Sequence, residues 1–294
     1  MATLRELKGR IGSVASSEKI TGAMKMISSA KMHKAETALR QLRPFRDQIE
    51  TIIANLLASD ATFESPLMTP HASVDNLAVV VWGSDDGLCG AYNTNIFKQL
   101  VLQIDGYRKS LGDKTRITVV PVGAKIAKAV LKLHLPGVEV ELPQDVDSKT
   151  TEVRDFTWRL RDGFLSGKYD RVDVLYMSFK SVSRQRLETM ELLPVTLESF
   201  SKEEAGTAES KPYLFEPSAT VIFERVLPMY LLAVVQDIFT ENRASEQAAR
   251  VMAMQSANDN AQKLLEQLRL EYNKLRQQGI TTELLDIVGG QARD

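Results

Sequence analysis

The chain has 294 residues, 44% of them apolar, and 37 Lys+Arg against 38 Asp+Glu give a formal net charge of -1. That balance argues against nucleic-acid binding by bulk electrostatics, and the length suffices to bury a sizeable core. A single cysteine, Cys89, excludes an intrachain disulfide and a cysteine-based metal cluster and fits a reducing compartment. The opening ATLRELKGRIGSV lacks an apolar h-region, and no run of about 18 uncharged apolar residues occurs. Neither a secretory signal nor a membrane span is therefore expected, and membrane association is expected only through a partner.

The first segment, 1–58, reads as one helix, with no proline before Pro44 and no glycine between Gly22 and Gly83. Met24, Lys31, Ala38, Phe45 and Ile52 alternate with Ser28, Ala35, Leu42, Ile49 and Leu56 in the 3-4 spacing of a coiled-coil seam. On that phase Lys31 lies on the seam, while Lys19, Lys25 and Lys34 point outward. Met24, Met26 and Met32 then supply flexible thioethers suited to a surface that re-packs against changing partners. A solvated basic face is the plainer alternative.

The middle, 74–200, alternates strand and helix patterns. LAVVVW (77–82), RITVVPV (116–122), VEVEL (138–142) and DVLYMSF (173–179) read as strands; NTNIFKQLVLQI, AKIAKAVLKL and the segment 151–165 read as helices. This is the pattern of an α/β sheet. The loop GSDDGLCGAYN sits where a phosphate-binding loop could lie, yet Gly83, Gly87 and Gly90 fit neither the Walker nor the dinucleotide spacing, and Asp85 and Asp86 would repel phosphate. Cys89 reads as a buried, inert thiol rather than a nucleophile. His33, His71 and His134 lack metal-ligand spacing. No catalytic residue, cofactor or metal is expected.

SKEEAGTAESKP (201–212) reads as a loop, and the last segment, 213–294, as a second helix. Met229 to Gln278 is about 50 residues of helix former, roughly 75 Å long, against a radius of gyration of about 19 Å for a compact chain of this length, so it is expected to project. Ala261, Leu265, Leu268, Tyr272 and Leu275 repeat the heptad spacing, which Ile238, Ser245, Ala249 and Met252 continue upstream. The expected fold class is thus α/β: a long antiparallel coiled coil of N- and C-terminal helices plus an α/β Rossmann-like domain. An intermolecular zipper is the alternative pairing.

EKITGAMKMISSAKMHKAE, SDDGLCGAYN, ASEQAARVMAMQSANDNA and LEYNKLRQQGITTELLDIVGG, in this order along essentially the whole chain, resemble the gamma-subunit family of F-type ATP synthases. The resemblance implies a non-catalytic rotor shaft inside a ring of three alpha and three beta subunits. Its foot meets the epsilon subunit and the membrane c-ring, peripherally on the cytoplasmic face of the inner membrane. It further implies that Met24 and Lys25 face beta, that Arg276 and Gln277 form a polar catch on a beta loop, and that ITTELLDIVGG turns in an apolar bearing. Tyr213, Phe215 and Glu216 are implied to meet the c-ring. Asp86 departs from the family's usual basic residue and Ala91 from its usual glycine, and a lone cysteine excludes the redox pair of chloroplast relatives. A coiled-coil scaffold and a nucleotide- or thiol-dependent enzyme are the competing functions.

Overall fold

A computed structural model describes residues 3–57, 65–132, 136–144, 146, 153–196 and 215–291, with 286–291 described for the backbone alone. The chain divides into two compact units: Met1–Ser29 with Arg250–Asp294, and Ala30–Ala249. Its elements are α1 (Leu4–Leu57), β1 (Asn76–Trp82), α2 (Tyr92–Leu111), β2 (Arg116–Val122), α3 (Ala124–Val130), β3 (Val138–Val140), α4 (Arg154–Leu165), β4 (Arg171–Ser181), β5 (Arg184–Leu193) and α5 (Ala219–Gln291).

The larger unit holds a five-stranded sheet of order β3-β2-β1-β4-β5. The first four strands are mutually parallel, and β5 returns antiparallel to β4. Because helices cover both faces, β1 and β2 are continuous apolar runs rather than alternating ones. Successive β1 side chains enter opposite cores. Leu77, Val79 and Val81 meet Ile96, Leu100 and Ile104 of α2 and Ile126 of α3. Ala78, Val80 and Trp82 meet Phe156 and Phe164 of α4, Ile49, Ile53 and Leu56 of α1, and Phe223 to Phe239 of α5. Trp82 lies edge-on to Phe156, ring centroids 5.6 Å apart, and tilted on Phe239 at 5.5 Å. The apolar first half of α5 is therefore sheet-covering core.

β5 was not anticipated, because Arg184, Gln185, Arg186, Glu188 and Glu191 hide its pairing potential; such charges are how edge strands resist further pairing. Pro44 and Pro228 both lie inside helices rather than at their ends. Each removes one backbone donor, a local loss that the packing on either side outweighs.

The seam of α1 follows a different phase from the one the sequence suggests. In the larger unit its covered rows are Met32, Leu39, Arg46 and Ile53 with Ala35, Leu42, Ile49 and Leu56, whereas Lys31, Phe45 and Ile52 are exposed. The second row is as expected; the first is displaced by one residue. Arg46 is the reason: it stands on the seam because it meets Asp237 of α5, its Nη1 donating to Oδ2 at 2.7 Å while its Nε donates to Glu50 at 2.8 Å. The buried Met32 is likewise core rather than an exposed thioether.

In the smaller unit, Leu7, Ile11, Val14, Glu18, Thr21, Lys25 and Ser28 form the covered stripe of α1, again in 3-4 steps. Met254, Asn258, Ala261, Leu265, Leu268, Tyr272, Leu275 and Gly279 form that of α5, as expected for the last segment. Met252 is exposed, so the upstream extension of that stripe is corrected to Met254.

Candidate functional site

The pairing of the smaller unit is fixed by polar contacts. Asn258 Nδ2 donates to the Glu18 carbonyl at 2.8 Å and to Thr21 Oγ1 at 3.4 Å, and Gln262 Nε2 donates to Glu18 Oε1 at 3.3 Å. Residue numbers thus rise on one helix as they fall on the other, which makes the pair antiparallel. Gly22 lies beside this contact, where a Cβ would stand 3.4 Å from Asn258 Nδ2, an ordinary contact distance. The sequence signal for this contact was the small stretch around Gly22 facing SANDNA; the role of Asn258 was not read from it.

The same register locates the expected contact residues. Met24 and Lys25 are half-covered, Lys25 standing in the seam row rather than pointing outward. Arg276 and Gln277 are exposed on α5 opposite the start of α1. The register places Met24 opposite residues near 254, so about 22 residues, roughly 33 Å of helix, separate the two pairs. They form two surfaces, not one site. Beyond Arg276 the register provides no further α1 residue to face, and Ile280, Leu284 and Leu285 are 50%, 58% and 66% exposed. Ile20, Met26 and Ile27 add exposed apolar side chains on α1. These two groups of exposed aliphatic side chains lie at different levels of the helix pair.

In the larger unit, Phe215 packs against the core and Glu216 is exposed; Tyr213 lies outside the described residues. The loop after β1 is built from its own side chains. Ser84 N–H donates to Asn93 Oδ1 at 3.0 Å, Asn93 Nδ2 donates to Ser84 Oγ at 2.6 Å, and Ser84 Oγ donates to the Asp86 carbonyl at 2.8 Å. Cys89 is buried among these groups. Asp85 Oδ1 accepts from the Ala124 amide at 3.0 Å. Asn242 then ties α5 to this loop: its Nδ2 donates to the Gly83 carbonyl at 3.0 Å, and its Oδ1 accepts from Tyr92 Oη at 2.7 Å. Sequence reasoning missed Asn242, whose partners are about 150 residues away and carry no periodic signal. Among the described residues no group of three or more His, Cys, Asp or Glu is placed to hold a metal ion.

The larger unit, a mixed sheet covered on one face by parts of both terminal helices, and the smaller unit, an antiparallel helix pair with exposed apolar side chains, define an α/β chain with surfaces suited to binding other proteins. Residues 3–292 match a family model described as ATP synthase. The chain is 41% identical over 291 residues to the ATP synthase gamma chain of Phocaeicola vulgatus, with 99% of each covered. It is 36% identical over 296 residues to that of Chlorobaculum tepidum, with 99% of this chain and 98% of the relative covered. In fold it is similar to a chain of the Euglena gracilis mitochondrial ATP synthase OSCP/F1/c-ring assembly, at TM-score 0.65 and 20% identity over 98% of this chain and 93% of that one. A chain of the rotor of the same organism's enzyme gives TM-score 0.60 at 21% identity over 94% and 98%. The chain belongs to the ATP synthase gamma chain family.

Proposed function

We propose that this chain is the central rotor shaft of an F-type ATP synthase, coupling ion-driven rotation of a membrane c-ring to ATP synthesis, or the reverse, at the beta subunits. It does no chemistry itself on this reading. The observation that carries the proposal is full-length membership of the gamma chain family, and the uncovered aliphatic end of α5 supports it as the part that turns within a ring of partners. A rod whose sides differ presents each surrounding beta subunit with a different face. Only such differential contact shifts a conformational equilibrium.

The working parts follow the segments 1–58 and 213–294 as the shaft and 74–200 as the foot. Met24 and Lys25 meet beta at one level, and Arg276 and Gln277 catch a beta loop at another. Tyr213, Phe215 and Glu216 meet the c-ring; because Phe215 packs into the core, Glu216 is the more available contact. The partners are the alpha and beta subunits, epsilon and the c-ring, and the location is the cytoplasmic face of the inner membrane, held there through those partners.

Affinity purification of the tagged chain from detergent-solubilised membranes tests this. Co-elution with alpha, beta, epsilon and c subunits is the expected result. Recovery as a free homodimer, with no ATPase subunits, would support a coiled-coil scaffold instead.

A further inference from the structure

In the smaller unit, between Glu18 and Ser28, α1 is turned against its own hydrophobicity. The row it lays on α5 there is Glu18, Thr21, Lys25 and Ser28, with Ser28 only 3% exposed, while Ile20, Met26 and Ile27 are 59%, 72% and 57% exposed. Ile20, Met24 and Ile27 have the same 3-4 spacing as Thr21, Lys25 and Ser28 and lie one residue before them. One residue is about 100° of turn, so apolar burial by itself would favour seating α1 in that neighbouring phase. Where local pattern and packing disagree in this way, a contact specific to the observed phase has to decide between them.

Asn258 supplies that contact. It stands in the covered row of α5 between Met254 and Ala261, and its Nδ2 donates to the Glu18 carbonyl at 2.8 Å and to Thr21 Oγ1 at 3.4 Å. The same carbonyl accepts from Thr21 Oγ1 at 3.0 Å, so amide and hydroxyl converge on one backbone atom. A side-chain partner can follow a turning helix by changing rotamer, whereas a carbonyl turns with the helix. Turning α1 by one residue would carry that carbonyl away and leave a covered amide without its acceptor. Gln262 Nε2, on Glu18 Oε1 at 3.3 Å, is the more adaptable second tie. A single polar residue in a seam row fixes how two helices pair, at some cost in stability.

We propose that Asn258 is a positioning residue: a phase lock that holds the polar row of α1 on α5 and so fixes the direction in which Met24, Ile20, Met26 and Ile27 are presented. What the lock serves rests on the shaft reading above, in which Met24 meets beta; the lock itself is a property of this chain alone. An apolar residue at 258 leaves the pair folded but frees α1 to turn toward its apolar phase.

The test uses the full-length chain carrying Cys89→Ala, so that one introduced thiol reports the phase. Maleimide should label Ile27→Cys about tenfold or more faster than Ser28→Cys, because a covered thiol reacts only through local opening. Adding Asn258→Leu should narrow that ratio severalfold, with thermal unfolding no lower than in the same chain with Asn258. Asn258→Asp keeps the shape and loses the donor; it should narrow the ratio too, and it serves if the Leu variant does not fold. An unchanged ratio in a folded variant overturns the lock. In the assembled complex, Asn258→Leu should lower the ions pumped per ATP hydrolysed by about twofold or more. Full coupling together with a narrowed ratio overturns the positioning role. Failure of the chain with Asn258 intact to assemble with alpha and beta would sink the shaft reading instead, and the labelling ratio would still decide the lock.

Discussion

Arg276 shows how much a single side chain can decide. Exposed near the end of the helix pair, it is either a solvated cation or one half of a catch on beta. A guanidinium holds a carboxylate through two parallel N–H donors, which an ammonium cannot reproduce. Arg276→Lys should therefore preserve folding and assembly yet lower turnover of the reconstituted complex, and replacing Arg276 and Gln277 together by Ala should slow it severalfold or more. Wild-type turnover in both variants would leave only a solvated helix residue. Gly83 gives a purely structural counterpart: a Cβ there would stand 2.5 Å from the Ile126 side chain. Gly83→Ala should destabilise by about 1–3 kcal/mol through overpacking, whereas Gly22→Ala, with ordinary contact distance available, should be neutral or stabilising by up to about 1 kcal/mol. Chemical denaturation of the two variants separates these expectations. At this scale the sequence was least informative. Asn258, Asn242 and Asp237 are ordinary polar residues in a helical stretch, and only their distant partners give them meaning.

At the scale of elements, the long apolar runs β1 and β2 and the heptads of the last segment were legible because period and burial agree there. The misphased row of α1 shows where that logic ends. Lys25 and Arg46 occupy seam positions, so a count of apolar side chains preferred Met24, Phe45 and Ile52 one residue away. Arg46 belongs there because a charge partner waits on α5, and periodicity cannot see a partner on another element. Removing it should matter: Arg46→Ala takes from the buried Asp237 the donor it has on α1 and should cost about 1–3 kcal/mol, measured by denaturant midpoint. The start of the sheet has its own acid-sensitive joint. Burial disfavours ionised Asp170, but His71 Nδ1 at 2.8 Å and the amides of Asn76 at 2.7 Å and Asp75 at 3.0 Å outweigh it and hold its pKa below 3.8. A depressed carboxyl contributes stability above its unfolded value that is lost as pH falls through the folded one. Asp170→Asn should therefore be less stable than wild type at neutral pH, with the difference shrinking below about pH 4 as the wild-type carboxyl takes its proton.

For the whole molecule, fold class and family were readable from motifs spread over the full length, while the charged edge strand β5 and the segments outside the described residues were not. The shaft reading requires that this chain turn inside its partners, not merely bind them. Met24→Lys examines that coupling at one proposed contact: Lys keeps helix propensity close to that of Met but, on the shaft reading, adds a charge facing beta. ATP hydrolysis should continue while ion pumping falls, since a contact worth about 1–3 kcal/mol is comparable to a typical coupling free energy. The most direct measurement is single-molecule rotation. Alpha and beta subunits are assembled with this chain and immobilised, a bead is attached to a cysteine introduced at Lys109 on the exposed end of α2, and ATP is supplied. The account predicts unidirectional rotation in three equal steps per turn, one for each beta subunit. ATP hydrolysis by the same assembled particles with the bead stationary, under conditions where a known gamma chain rotates, would contradict it.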